Sequence, residues 1–366
     1  MPLGTFSTRG CGVAWAATRE RRSGSQISYR KKQRSEVSDI DEIVLEVKNL
    51  KTYFYTNDGE VRAVDDLSYH VKKGECLGLV GESACGKSVS ALSVMRLIPY
   101  PPGIIVGGEV FLKGKDLLKA SEAEMRDIRG DRIAMIFQEP STSLNPVLTV
   151  SLQLSESLAL HRGLDKQAAS AEAVKLLRVV GIPDAEKRVN DYPYQFSGGM
   201  QQRIMIAMAL ACSPELLIAD EPTTSVDVTV QAQLLELLGE MKGKFGTAII
   251  VITHNLGVVA RYVDRVMVMY AGRLVETGPT DEIYHNSKHP YTVGLLASVP
   301  RLDLPRKRAL SVIPGLPPNL ARLPKGCAFQ PRCKMAIDKC KEEKPVLEEV
   351  GPEHLAACFR SAEVKV

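Results

Sequence analysis

An α/β fold built around a phosphate-cradling loop is predicted by three features of this 366-residue chain. The first is a strand–loop–helix at 76–97, where Cys76-Leu77-Gly78-Leu79-Val80 runs into GESACGKS (81–88) and then into Val89-Ser90-Ala91-Leu92. The second is the apolar run Leu216-Leu217-Ile218-Ala219, which ends in two adjacent carboxylates, Asp220 and Glu221. The third is the alternation of helical and strand patterns after residue 200, which argues for a parallel sheet covered on both faces.

Taken in order, residues 1–42 read as a disordered basic leader. Arg9, Arg19, Arg21, Arg22, Arg30, Lys31, Lys32 and Arg34 face the single acid Glu20 over 1–35, with serine and glycine between them. An organelle-targeting peptide is the alternative, and the lack of an apolar core argues against a secretory signal. From Ile43 the pattern turns to strands, first at 43–47, then around Ala63, Val64 and Leu67, and again at Gly108–Leu112. Residues 150–181 switch to helical spacing, with Ala171, Val174, Leu177 and Val180 expected on one face. Beyond about 300 the prolines Pro300, Pro305, Pro314, Pro317, Pro318 and Pro324 mark a linker into a cysteine-bearing tail.

Composition narrows the class. Hydrophobic residues at 45% suffice for a packed core. No run reaches the roughly 18 apolar residues that a membrane span needs. A net charge of +4 is too small a bias to argue for nucleic acid. Cys11, Cys76, Cys85 and Cys212 lie in apolar or glycine-rich segments and read as the free thiols of a reducing compartment.

The chemistry concentrates in a few places. In Gly-x-x-x-x-Gly-Lys-Ser, glycines let backbone N–H groups turn toward phosphate oxygens, and the following helix aims its positive end at the same point. Lys87 would reach the β- and γ-phosphates, and Ser88 would ligate Mg²⁺. A strand delivers Asp220 to the C-terminal edge of the sheet, where it can hold Mg²⁺ and Glu221 can polarise an attacking water. Ser197-Gly198-Gly199, leading into a helix about 20 residues earlier, is a second anion-binding device. Two such devices make sense if the second serves the nucleotide of a partner subunit.

In order and spacing these residues resemble the ATPase subunits of ABC transporters over about 43–358. The resemblance implies a P-loop NTPase fold with a mixed-sheet core, an antiparallel β subdomain, a helical signature subdomain (about 139–200) and a small cysteine-rich tail. The ATPase domain would span 43–285 and the C-terminal extension 286–366. It also implies that Gly81, Glu82, Ser83, Ala84, Cys85, Gly86, Lys87 and Ser88 form the phosphate loop, and that Gln138 senses the γ-phosphate and Mg²⁺. Ser197, Gly198 and Gly199 would contact the nucleotide across a head-to-tail dimer. Glu221 and His254 would work on the attacking water, Ser225-Val226-Asp227 would form the D-loop, and Phe54 aligns best with the adenine-stacking aromatic.

Within that family, MIFQEPSTSLNP (135–146), the stretch 192–233 and HPYTVGLLASVP (289–300) resemble the oligopeptide/dipeptide import ATPases. This implies ATP-driven peptide import at the cytoplasmic face of the cell membrane. The partners would be a second ATPase subunit, two permease chains and an extracytoplasmic binding protein, with no nucleic acid. A related importer of nickel or another solute is the alternative, as is a soluble ABC protein without transport. Cys327, Cys333, Cys340 and Cys358 lack paired C-x₂-C zinc spacing. The resembling subunits carry a [4Fe–4S] cluster on these positions; zinc and free thiols stay open as alternatives. Three positions depart from the commonest pattern: Met200, Val226 and Ala84, which stands where such loops often carry glycine. If position 84 needs positive φ, alanine costs about 1 kcal/mol there, and ATP binding would loosen by about fivefold.

Overall fold

The computed structural model describes residues 42–222, 228–299 and 312–365. The expected leader, residue 42 apart, and the D-loop lie outside the described residues. The strands in chain order are β1 (Ile43–Thr56), β2 (Gly59–Lys72), β3 (Cys76–Val80), β4 (Gly103–Leu112), β5 (Lys115–Asp116), β6 (Ile133–Ile136), β7 (Leu216–Asp220), β8 (Ala248–Thr253), β9 (Arg265–Tyr270), β10 (Arg273–Pro279), β11 (Glu348–Gly351) and β12 (His354–Ala356).

They form two sheets. The smaller is antiparallel, in the order β2-β1-β4-β5. The larger is mixed and runs β11-β12-β10-β9-β3-β8-β7-β6. Its five strands from β9 to β6 are parallel. Every residue of β3, β7 and β8 is buried, as expected of central parallel strands covered on both faces, which read as continuous apolar runs. One core cluster joins the inward residues of this sheet to the antiparallel sheet and the helix Lys87–Val94; a second joins it to the helices that follow β6 and to the C-terminal segments; a small third gathers Leu158, Ala169 and Ala211.

The helical layer between β6 and β7 is punctuated by its sequence. Thr149 caps the helix Val150–Arg162 by accepting from the Leu152 N–H, and Gly163, at φ 60°, ends it in the left-handed region. Asp165 caps Lys166–Val179 by accepting from the Ala168 N–H at 2.8 Å. The buried stripe of that helix is Ala169, Ala173 and Leu177, continued by Val180 just past its end. The predicted stripe was out of phase by half a turn at its start: Ala171 is exposed and Val174 only partly covered. Counting back from Leu177 in steps of four selects Ala173 and Ala169, and alanine is too small to stand out in a hydropathy reading.

The cysteine-bearing end is not a separate appendage. β12 pairs with β10, placing Ala356 opposite Glu276 and Leu355 opposite Thr277, and so extends the main sheet. Glu276 and His354, both fully buried, meet at 2.8 Å behind this edge. Among the described residues no helix is long and apolar enough to cross a membrane.

Candidate nucleotide site

Three neighbouring parallel strands bring the predicted residues together. In the register of the sheet Val80 stands opposite Thr253, and Asp220 opposite Ile252. The loop after β3, the carboxylates at the end of β7 and His254 after β8 therefore emerge side by side at one sheet edge, where open α/β sheets bind ligands. Gln138 follows β6, the next strand over.

The loop itself is held tightly. Gly81 has φ 156°, and a Cβ there would stand 2.3 Å from the Met269 carbonyl oxygen. Gly86 caps the following helix at φ 104°, and a Cβ there would stand 2.0 Å from the Ala63 oxygen. Ala84 adopts φ 62°, so a side chain does occupy a left-handed position in this loop.

Lys87 is 4% exposed, and its ammonium donates to the Gly81 oxygen at 2.8 Å and the Glu82 oxygen at 2.9 Å. The Ser88 hydroxyl donates to Asp220 Oδ1 at 3.0 Å. Burial raises the Asp220 carboxyl above its usual range, and the Ser88 bond offsets part of that rise. A buried carboxylate and a hydroxyl side by side are hard oxygen donors, a set that fits Mg²⁺. Glu221 is the hub of the polar residues beyond: Gln138 Nε2 donates to its Oε2 at 3.1 Å, and His254 Nδ1 lies 3.2 Å from its Oε1.

Ser83, Ala84, Gly86, Lys87, Ser88, Val89, Gln138, Glu221 and His254 line one pocket of about 400 Å³. Asp220 reaches it through Ser88. The other expected residues stand elsewhere. Phe54 is partly buried, with its ring against Gly103 in β4, and does not line the pocket. Cys85 is buried, its thiol pushed up by desolvation. The Glu82 carboxylate turns away from the pocket toward Arg332. Ser197, Gly198 and Gly199 begin the helix Gly198–Leu210. Ser197 and Gly198 are exposed, and none of the three lines this pocket. Sequence reasoning missed Val89, Tyr291 and Arg332. Val89 belongs to the helix that follows the loop, and the other two lie more than 200 residues from it; Tyr291 falls in the stretch HPYTVGLLASVP, but nothing in that stretch points to the phosphate loop.

The four C-terminal cysteines line one small cavity with Phe329, Phe359 and Arg360. Burial pushes the Cys327 thiol up to about 11 and raises those of Cys333 and Cys358. Among the described residues no group of three or more His, Cys, Asp or Glu is placed to hold a metal ion. The expected [4Fe–4S] cluster and its zinc alternative are therefore not supported, although the donor set converges.

A phosphate loop, a buried carboxylate behind its serine and a glutamate bridged to a glutamine and a histidine define a nucleoside-triphosphate-hydrolysing α/β ATPase. The ABC transporter family matches residues 64–224, and the oligopeptide/dipeptide transporter C-terminal region matches 275–340. The oligopeptide transport ATP-binding protein OppD of Bacillus subtilis is 53% identical over 311 residues, covering 85% of this chain and 87% of that protein. OppD of Salmonella typhimurium is 51% identical over 321 residues, covering 88% and 95%. Among solved structures, the dimeric ATP-binding cassette MJ0796 bound to ADP and Pi matches with a TM-score of 0.59 at 25% identity, over 64% of this chain and 98% of that one. The chain belongs to the oligopeptide/dipeptide-importer family of ABC transporter ATP-binding subunits, and it is an ATPase.

Proposed function

We propose that this ATPase powers import of di- or oligopeptides through a membrane transporter, docked peripherally on the cytoplasmic face of two permease chains and supplied by an extracytoplasmic binding protein. The observation that carries the catalytic part is the Gln138–Glu221–His254 constellation at the pocket that Lys87 and Ser88 line. Glu221 is the general base for the attacking water, His254 holds its carboxylate in place, and Gln138 relays the state of the site to the permease. Lys87 and the backbone N–H groups of Ser83–Ser88 cradle the phosphates. Ser88 and Asp220 hold Mg²⁺, assisted by Gln138; the ion supplies charge neutralisation when bound. Ser197, Gly198 and Gly199 serve the ATP of a second ATPase subunit, and Phe54 stacks on adenine.

Two experiments test this reading. Glu221→Gln keeps ATP binding and lowers turnover by about 100-fold or more; unchanged turnover would leave a regulatory nucleotide-binding module instead. Peptide uptake into vesicles holding the reconstituted transporter, lost with Lys87→Ala, tests the cargo, and uptake of nickel rather than peptide would reassign it. The four-cysteine cavity is where a [4Fe–4S] cluster or zinc would sit on donor chemistry alone. Iron, sulfide and zinc analysis of anaerobically prepared protein decides between them and free thiols.

A further inference from the structure

The phosphate loop is gripped from the C-terminal extension. Arg332 puts a two-pronged fork on the Glu82 carboxylate, with contacts of 2.6 and 2.8 Å. The Glu82 N–H donates to the buried Tyr291 hydroxyl at 2.8 Å, and its carbonyl oxygen accepts from Lys87. A single loop residue is thus tied by its side chain and backbone to the extension, and by its carbonyl to the lysine that meets the phosphates. Arg332 is itself held: it is 8% exposed, and its Nε donates to the Pro314 oxygen at 2.9 Å. One of its terminal nitrogens also reaches the Tyr270 hydroxyl at 3.4 Å. Tyr270, Tyr291 and Phe329 pack ring against ring beneath it. Its chain neighbour Cys333 lines the four-cysteine cavity.

We propose that Arg332 is a positioning residue for the ATP site: it fixes the phosphate loop through Glu82, so that the C-terminal extension sets the affinity for ATP. The proposal rests on reading Gly81–Ser88 as the ATP cradle. A planar guanidinium engaging both carboxylate oxygens fixes direction as well as distance, which a lysine cannot reproduce. Loss of either partner leaves a poorly solvated charge unpaired and frees residue 82 to swing, carrying with it the carbonyl that orients Lys87.

The test titrates a fluorescent ATP analogue with Mg²⁺ on the full-length chain, with melting temperature recorded alongside, and measures KM and kcat in the assembled transporter. Arg332→Gln is expected to weaken nucleotide binding by about tenfold, with KM following and kcat at saturation changed far less. Arg332→Lys falls between. Glu82→Gln, an isosteric change that serves if Arg332→Gln folds poorly, weakens binding similarly, and the double variant is no worse than the weaker single one because both act through one contact. Lys87→Ala is the control. If it abolishes binding while Glu82→Gln and Arg332→Gln lower the melting temperature but leave affinity unchanged, the pair merely packs the extension and the proposal is overturned. If Lys87→Ala leaves binding intact, the ATP-cradle reading fails instead.

Discussion

At Ala84 the backbone holds φ 62° with a methyl group attached, in a loop where its neighbours Gly81 and Gly86 also have positive φ. A left-handed alanine costs about 1 kcal/mol relative to glycine. Ala84→Gly is expected to tighten ATP binding by up to about fivefold, because a loop relieved of that strain is cheaper to set around phosphate. A titration showing unchanged affinity with a raised melting temperature would place the strain in folding rather than in binding. Asp220 offers a second residue-scale test. Its carboxyl is raised above the usual value by burial, so its native state binds protons more readily than its unfolded state. Stability contributed by this group therefore falls as pH rises from the unfolded pKa through the folded one, and is lowest at neutral pH. Asp220→Asn keeps an acceptor for Ser88 and removes the buried charge. Expected are a melting temperature at pH 7 that is unchanged or raised by a few degrees and a mutational gain that shrinks as pH falls toward about 4, together with loss of Mg²⁺-dependent ATPase activity. Scanning calorimetry without nucleotide at pH 7 and pH 4 checks the sign.

Among the elements, β3 and the helix Lys87–Val94 were legible in advance because a buried parallel strand, a glycine turn and a helix start each leave a local mark. The same holds for β7 with Asp220 and β8 with His254, whose apolar runs end at the functional residue. The helix Lys166–Val179 was legible in kind but not in phase, since its inward face is built on Ala169 and Ala173. β11 and β12 left no mark: four and three residues long, they gain their place when β12 pairs with β10, a partner some 80 residues away, and β11 pairs with β12. The contacts of Arg332 and Tyr291 with Glu82 were illegible for the same reason: the return of the chain brings them there, and even the stretch HPYTVGLLASVP around Tyr291 carries no sign of that contact. A tight joint between elements lies at Gly86, where the phosphate loop meets the Ala63 carbonyl of β2. Gly86→Ala would drive a Cβ to 2.0 Å from that oxygen at φ 104°. Backbone must shift, so a loss of about 3 kcal/mol or more is expected. Urea unfolding measures it, and a variant within about 1 kcal/mol of the parent would show that the loop can retreat from β2.

Across the whole molecule, the two anion-binding devices of one chain do not meet. Lys87, Ser88 and Glu221 open onto one pocket, whereas Ser197 and Gly198 are exposed at a helix start that contributes nothing to it. The Ser197 side chain makes no cap bond to its own helix, and Gly198 and Gly199 bring no side chain to crowd the approach. An oligomer in which each subunit's signature covers the other's phosphate loop gives both devices a use, and it places the complete ATP site at the interface. Ser197→Arg tests this at the scale where it operates. A bulky cation at the helix start leaves the pocket of its own chain untouched, so the isolated subunit should bind ATP within about twofold of the parent affinity. In the proposed assembly the same substitution would face the nucleotide of the neighbouring subunit and block closure, so ATP turnover should fall by at least about 100-fold. If the isolated chain loses affinity as much as the transporter loses turnover, the signature serves its own pocket, and the site is complete within one subunit.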